Sequence, residues 1–227
     1  MNIQSLRNKI DDLLCENYLE QNDIIVLVET WLYASETPLY NIEGYSAVHC
    51  CRETRGGGAA IYIRDTLKFS LVNVSNVNTP CNWICISLGK NDLLLSVIYR
   101  PPSCQNTLFF NDLESILVKY PKKHVIVGDI NIIMLENNSS QTKEYTNLLA
   151  LNGFTLLNNI SLVHATRVTD ITSSIIDHVI CSNAIKNKCK VTVEDNSLSD
   201  HRKITLSFRL NIQQHKKKCI LKRLKLT

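Results

Sequence analysis

The 227-residue sequence predicts an α/β (α+β) protein in which two β-sheets pack face to face and helices cover the outside. Three observations carry that prediction. Apolar, β-branched runs far outnumber helical patterns, so strands must supply most of the core. Many of these runs neighbour one another as hairpins do, and strict strand–helix alternation is absent, which argues against an all-parallel doubly wound sheet. A chain of this length buries roughly 70% of its unfolded surface. With 44% hydrophobic residues, its core needs no disulfide or structural metal.

The elements follow in order. Ser5 stands where it can cap a helix with Leu6, Ile10, Leu13 and Leu14 on one face, running to about Glu20. Ile24–Val28 is wholly apolar and reads as a buried strand. From Tyr33 to Gly58 the chain is loop-like and ends in the glycine triplet 56–58. AAIYI (59–63) and KFSLVNV (68–74) read as a strand pair, followed by strands at Trp83–Leu88 and Leu93–Tyr99, the last halted by Pro101 and Pro102. Leu108–Tyr120 places Phe109, Leu113, Ile116 and Leu117 on one helical face. His124–Val127 is a further strand and Lys143–Leu151 a short helix. Thr155–Leu157, Ile175–Cys181, Cys189–Val193 and Ile204–Leu210 complete the strands.

Composition narrows the function. Charged residues make up 20%, which excludes a disordered or collagen-like polymer. No apolar run approaches the roughly 20 residues that span a bilayer. The opening MNIQSLRNK lacks the apolar stretch of a secretory signal, so a soluble, non-secreted, non-membrane protein is expected. The nine cysteines are odd in number and contain no Cys-x-x-Cys pair, and they read as reduced core residues. From Arg202 onward there are nine Lys/Arg and no acid, while the preceding residues carry 16 basic and 21 acidic groups. An acidic body with a basic tail suits a carboxylate metal site and an electrostatic hold on nucleic acid. The domain reading is therefore one unit over 1–210 and a basic tail over 211–227.

Polar residues that end apolar strands are the informative ones, because a strand edge is a rigid platform beside a cleft. Glu29 follows Ile24–Val28, and Tyr99 ends LLLSVIY. Asp129 and Asn131 lie in VIVGDIN, Asp177 in SSIIDHVICS, and Asp200–His201 in LSDHRKI. Singly, each has a structural explanation, since Asp after Gly is a turn residue and Asn a common cap. Together, Glu29, Asp129, Asp177 and Asp200 could converge on a hard divalent cation such as Mg²⁺. His201 is the imidazole that a neighbouring carboxylate could tune for general-base work, and Asn2, Asn131 and Tyr99 are neutral donors suited to phosphate oxygens. RGGGAA precedes a strand and lacks the Lys-Ser/Thr ending of a phosphate-binding loop, so a triphosphatase or kinase is not supported.

The wording and order of the motifs resemble the endonuclease/exonuclease/phosphatase superfamily, and within it the apurinic-type endonuclease domain of non-LTR retrotransposons. The strings are NIQSLRNKIDDL (2–13), LVETWL (27–32), RGGGAAIYIRDTL (55–67), VIYRPPS (97–103), VIVGDIN (125–131), ATRVTDITSSIIDHVICS (165–182) and LSDH (198–201). The resemblance implies a four-layer αββα sandwich of two mixed sheets and a Mg²⁺-dependent endonuclease, with Mn²⁺ as substitute, that nicks DNA to leave 3′-hydroxyl and 5′-phosphate ends. Glu29 would ligate the metal with help from Asp200. Asp177 would orient His201, and Asp129 and Asn131 would orient the nucleophile and the phosphate. Either His201 or Asp129 would be the base. Tyr99, Asn2, Asn131 and His201 would bind phosphate oxygens. Arg55, Arg64, Arg100 and Arg167 are further candidates for backbone-phosphate contact.

Two departures from the family accompany this reading. The apolar inner strand expected ahead of the Asn2 motif is absent, which would leave Asn2 on a fraying end and lower stability. No reverse transcriptase sequence follows. In a complete element, that domain and the element's RNA would be the partners, the enzyme would be nuclear and monomeric, and a non-functional copy would stay cytoplasmic. The alternative functions are a catalytically impaired nucleic-acid-binding relic and a small-molecule phosphoesterase.

Overall fold

The computed structural model describes residues 1–15, 21–53, 56–75, 79–89, 93–135, 139–158 and 161–208. Strands β1 (Ile24–Val28), β2 (Tyr45–Cys50) and β3 (Ala59–Arg64) form an antiparallel sheet in the order β1-β3-β2. The next five strands are β4 (Phe69–Val74), β5 (Asn82–Leu88), β6 (Leu93–Tyr99), β7 (His124–Asp129) and β8 (Phe154–Leu156). β9 (Arg167–Val168) and β10 (Ser173–Ser174) make a small hairpin ahead of β11 (Asp177–Ser182). β4-β5-β6-β7-β11-β8 is a six-stranded sheet, antiparallel except for the β6–β7 pair. β12 (Cys189–Glu194) and β13 (Lys203–Phe208) pair as a two-stranded sheet. Among the described residues, three α-helices accompany them: α1 (Ile10–Cys15), α2 (Asn106–Lys119) and α3 (Ser140–Leu151).

Period-two patterning sends alternate side chains of the large sheet into two different cores. Ile84, Ile86 and Val97 pack with Ile61 and Ile63 of the small sheet, while Trp83 and Ile98 pack with Phe109, Leu113 and Leu117 of α2 and with Tyr145 and Leu149 of α3. A third core joins the far face of the small sheet, through Leu27, Ala60 and Tyr62, to Ile3, Leu6 and Leu13. Helices thus flank packed sheets, as the sequence predicts. Fully burying each large aliphatic side chain contributes about 1.5–3 kcal/mol.

Among the described residues, β1 is hydrogen-bonded to β3 on one edge and to the first residues of the chain on the other. The Met1 amino group donates to Val26 O, and Asn2 bridges Val28 in the parallel sense. A cavity of about 720 Å³ lies beside it, lined by Met1, Ile24 and Val26 on one side and by Ile204, Leu206 and Phe208 of β13 on the other.

Several sequence expectations are corrected. Ser5 does not cap a helix: its φ of 84° is left-handed, its side chain makes no cap bond, and its N–H donates to Glu29 O. A short 3₁₀ turn (Leu6–Asn8) and α1 replace the single helix, and residues 16–20 lie outside the described ones. The loop read over Tyr33–Gly58 contains a 3₁₀ segment, Ala34–Tyr40, and β2. AAIYI and KFSLVNV are not partners, because β3 has both edges filled by β1 and β2, and β4 pairs with β5 in the other sheet. The basic tail and Arg55 fall outside the described residues.

Candidate active site

Sheet register assembles the site. Tyr99 on β6 is opposite Asp129 on β7, which is opposite Asp177 on β11, and Asn82 on β5 is opposite Tyr99 on its other side. Residues level across adjacent strands share a face, so four polar side chains form one row at the ends of apolar strands. Gly128 makes the sharp approach to this row: its φ is 145°, and a Cβ there would lie 1.8 Å from Ile98 O. That clash is why glycine precedes the aspartate.

The centre is a buried cluster in which ligand atoms of Asp129, Asp177 and His201 all lie within 4.8 Å of one another. His201, just ahead of β13, is held by a main-chain bridge to Arg167, and its Nδ1 is 2.7 Å from Asp177 Oδ2. Burial opposes the imidazolium, but the Asp177 hydrogen bond and the charges of Asp177, Asp129 and Asp200 outweigh it and raise the His201 pKa. Asp129 is 1% exposed. Burial first, and Asp177 second, push its carboxyl up to about 8, against the pull of His201 and of hydrogen bonds from Asn2 and Asn131.

Asn2 joins the second acid to this cluster. Its Nδ2 donates to Asp129 Oδ2 at 3.0 Å and to Glu29 Oε1 at 2.9 Å. The frayed terminus expected from sequence is not what the structure holds. Asn2 is fully buried, its carbonyl accepts from Ser199 Oγ at 2.7 Å, and its Oδ1 accepts from Gln4 N at 3.2 Å. Glu29 has a left-handed φ of 55°, and its N–H donates to Gly58 O. The glycine triplet therefore has a structural purpose. Gly57 O accepts from Trp31 N, Gly58 N donates to Asn82 Oδ1, and a Cβ at Gly58 would meet Thr30 Oγ1 at 2.6 Å.

Tyr99 is buried, and burial followed by the nearby Glu29 and Asp129 carboxylates raises its phenol pKa. Asn131 has φ 52° and takes its N–H back to Asp129 Oδ1 at 3.0 Å, closing a tight turn. Among the described residues, six non-glycine residues have positive φ; Gln4, Ser5, Glu29, Trp31 and Asn131 border this site and Lys123 does not. Strained backbone of this kind persists where surrounding contacts over-determine it.

Asp200 stands apart from the tight cluster. It accepts from Arg167 Nε at 2.8 Å and from Gln4 Nε2 at 2.7 Å, and its Oδ1 is 4.0 Å from His201 Nε2. Burial would raise its pKa, but Arg167 holds the carboxyl below its ordinary value. Arg167 is thus paired with an acid, Arg64 pairs with Asp23, and Arg100 is buried, so none of the three presents a free guanidinium to a phosphate. Gln4, Trp31, Asn82 and Ser199 escape sequence reading. Gln4, Trp31 and Ser199 lie inside motif strings but are neutral and carry no signal of their own there, and Asn82 lies in none of the strings.

The donor set suits a hard divalent cation. Glu29, Asp129, Asp177 and Asp200 are oxygen donors, and the hydrogen bonds to Glu29 among the described residues include those of the neutral partners Asn2, Trp31 and Tyr99.

Residues 93–205, which hold Tyr99, Asp129, Asp177 and His201, match the family model described as "Endonuclease-reverse transcriptase". The chain belongs to the endonuclease/exonuclease/phosphatase superfamily. Solved structures share the superfamily fold. The endonuclease domain of TRAS1, a telomere-specific non-LTR retrotransposon, is 14% identical with a TM-score of 0.72, over 93% of this chain and 97% of that one. The 3′-5′ exonuclease NExo from Neisseria meningitidis is 20% identical with a TM-score of 0.69, over 92% and 98%. An AP endonuclease from Archaeoglobus fulgidus is 16% identical with a TM-score of 0.64, over 92% and 97%. Among the described residues no helix is long and apolar enough to cross a membrane.

Proposed function

We propose that the protein is a divalent-cation-dependent endonuclease that hydrolyses DNA phosphodiester bonds and leaves 3′-hydroxyl and 5′-phosphate ends. The observation that carries this reading is the buried Asp129–Asp177–His201 cluster tied to Glu29 through one asparagine amide. The similarity to TRAS1, whose matching part is an endonuclease domain, supports the choice of a nucleic-acid substrate.

Phosphodiester hydrolysis builds negative charge on the phosphoryl oxygens and the leaving 3′-oxygen, so the site must supply positive charge and neutral donors. Glu29 would hold a Mg²⁺ or Mn²⁺ ion, with Asp200 completing the acidic face after exchanging its Arg167 contact. Bound there, the cation would neutralise the phosphate and draw the Asp129 carboxyl down from its raised pKa. Asp129, oriented by Asn2 and Asn131, would take the proton from the attacking water. His201, fixed through Nδ1 by Asp177, would direct Nε2–H at a phosphoryl oxygen, a donor role that the upward shift of its pKa by the Asp177 hydrogen bond and the neighbouring carboxylates favours. Tyr99 and Asn2 would contribute neutral hydrogen bonds.

DNA is the partner in this reading, and a nuclear location follows from it. In a complete element the released 3′-hydroxyl would prime a reverse transcriptase copying the element's RNA. A duplex oligonucleotide labelled at its 5′ end tests the product chemistry. A fragment that a polymerase extends without phosphatase treatment supports it, and a blocked 3′ end contradicts it.

A further inference from the structure

Arg100 follows β6 directly before Pro101, and it is 2% exposed. Burying a permanent charge is costly unless its donors are matched; here both Nη atoms find acceptors, while Nε has no hydrogen-bond partner among the described residues. The acceptors that meet this guanidinium are uncharged. Nη1 donates to the carbonyls of Ile130 at 3.1 Å and Asn131 at 3.3 Å. Nη2 donates to Cys104 O and to Asn106 Oδ1, both at 2.7 Å. The Phe109 ring lies beneath, its centroid 5.2 Å from the guanidinium carbon.

The main chain of the same residue grips the same turn. Arg100 N donates to Asp129 O at 2.9 Å, and Arg100 O accepts from Asn131 Nδ2 at 2.8 Å. One residue therefore meets Asp129, Ile130 and Asn131 from both its backbone and its side chain. Two consecutive carbonyls converge on a single nitrogen, an arrangement that their dipoles resist without a cation between them. Asn131 is the left-handed residue of that turn, a conformation that asparagine tolerates better than other side-chain-bearing residues but keeps only with support from its surroundings.

We infer that Arg100 is a positioning residue: its planar fork holds the Asp129–Asn131 turn in its left-handed form and ties it to the Cys104–Asn106 segment that begins α2. The fork matters as much as the charge, because four acceptors on two segments lie in directions that a single ammonium cannot reach together. The sequence offered Arg100 as a phosphate contact, and the structure turns it inward. The cleft of about 800 Å³ beside the site, lined by Ser103, Asn106, Asn131, Gln141 and Arg167 as well as Arg100, takes its shape from this tie.

The inference rests on the nuclease reading for its catalytic consequence only, and Arg100→Lys tests it in two ways. On a labelled duplex with Mg²⁺, kcat is expected to fall about 100-fold with KM within about 3-fold of wild type, the pattern of a displaced catalytic turn. Wild-type kcat in the variant, or a loss confined to KM as a phosphate contact gives, overturns it. Without DNA, amide hydrogen exchange of residues 129–131 should quicken while β11 keeps its protection. Unchanged exchange at 129–131 overturns the inference whether or not the protein cuts DNA. Inactive wild-type protein would remove the nuclease reading and leave the exchange result to decide. Should Arg100→Lys fail to fold by circular dichroism, Asn106→Ala removes one acceptor of the fork. It is expected to quicken the same amides, and no change there counts against the inference.

Discussion

Asp177 stands directly opposite Asp129 in the antiparallel register of β7 and β11, and the two carboxyl groups share one buried cluster with His201. Like charges at such range in a poorly solvated site resist joint ionisation. The fold accepts that penalty where it places its most reactive groups.

Relief of the penalty is the first expectation. Asp129→Asn keeps an oxygen to accept from Asn2 or Asn131 and removes the carboxyl that burial and Asp177 disfavour. At pH 8 the variant should be more stable by about 1–3 kcal/mol, yet nick DNA at least about 100-fold more slowly. Thermal melts beside plasmid assays check both halves, and a variant less stable than wild type at pH 8 would contradict the first.

The pH dependence of stability follows with a definite sign. The folded state raises the pKa of Asp129 and of His201, so it binds protons more tightly than the unfolded chain. Their contribution is fully present below the unfolded values and is lost as pH rises through the folded ones. In EDTA, stability should therefore decline from about pH 5 toward pH 9, with the Asp129 share lost across its interval from 3.8 to about 8. Denaturant titrations at several pH values measure this. A curve rising through that range would show that other groups dominate.

Asn2 carries a separate expectation. Removing its amide in Asn2→Ala leaves Glu29 and Asp129 without their shared neutral donor and opens a small void. The loss should be about 1–3 kcal/mol of stability, with a fall in kcat of roughly 10²-fold. Melting curves and single-turnover rates test this. An unaltered kcat would mean that the bridge is structural only.

Backbone geometry gives the sharpest structural expectation. Gly128→Ala would drive a Cβ to 1.8 Å from Ile98 O between two central strands that have no room to part. The cost should exceed about 4 kcal/mol, and the variant should be largely unfolded or insoluble at 37 °C. Gly153→Ala, with nothing within 4 Å of its added Cβ, is the matched control, and at φ 75° it should cost only about 1–2 kcal/mol. Equal solubility of the two would contradict the account.

The sequence made the buried strands legible because apolar β-branched runs such as Ile24–Val28 and Leu93–Tyr99 allow little else. It also drew attention to Asp129, Asp177 and His201 by their place at strand ends, and the register brings these three together. Pairing was less legible. AAIYI and KFSLVNV are adjacent in sequence, but whether neighbours pair depends on which edges are already filled, a property of the whole sheet. β2 was hidden because its face is only half-buried, so its pattern is mixed. Arg100 reads as a surface cation in any string, and only the convergence of carbonyls from two distant segments reveals why it is inside.

The central claim is that the Asp129–Asp177–His201 cluster cuts DNA with a divalent cation. Nicking of supercoiled plasmid by purified protein in Mg²⁺, with EDTA, Asp129→Asn and His201→Gln as controls, tests it most directly. Conversion to the open circle in Mg²⁺ that disappears in EDTA, and falls by roughly 10²- to 10⁴-fold in each variant, is the predicted result. Folded wild-type protein that leaves the plasmid supercoiled, or variants that nick as fast as wild type, would contradict it.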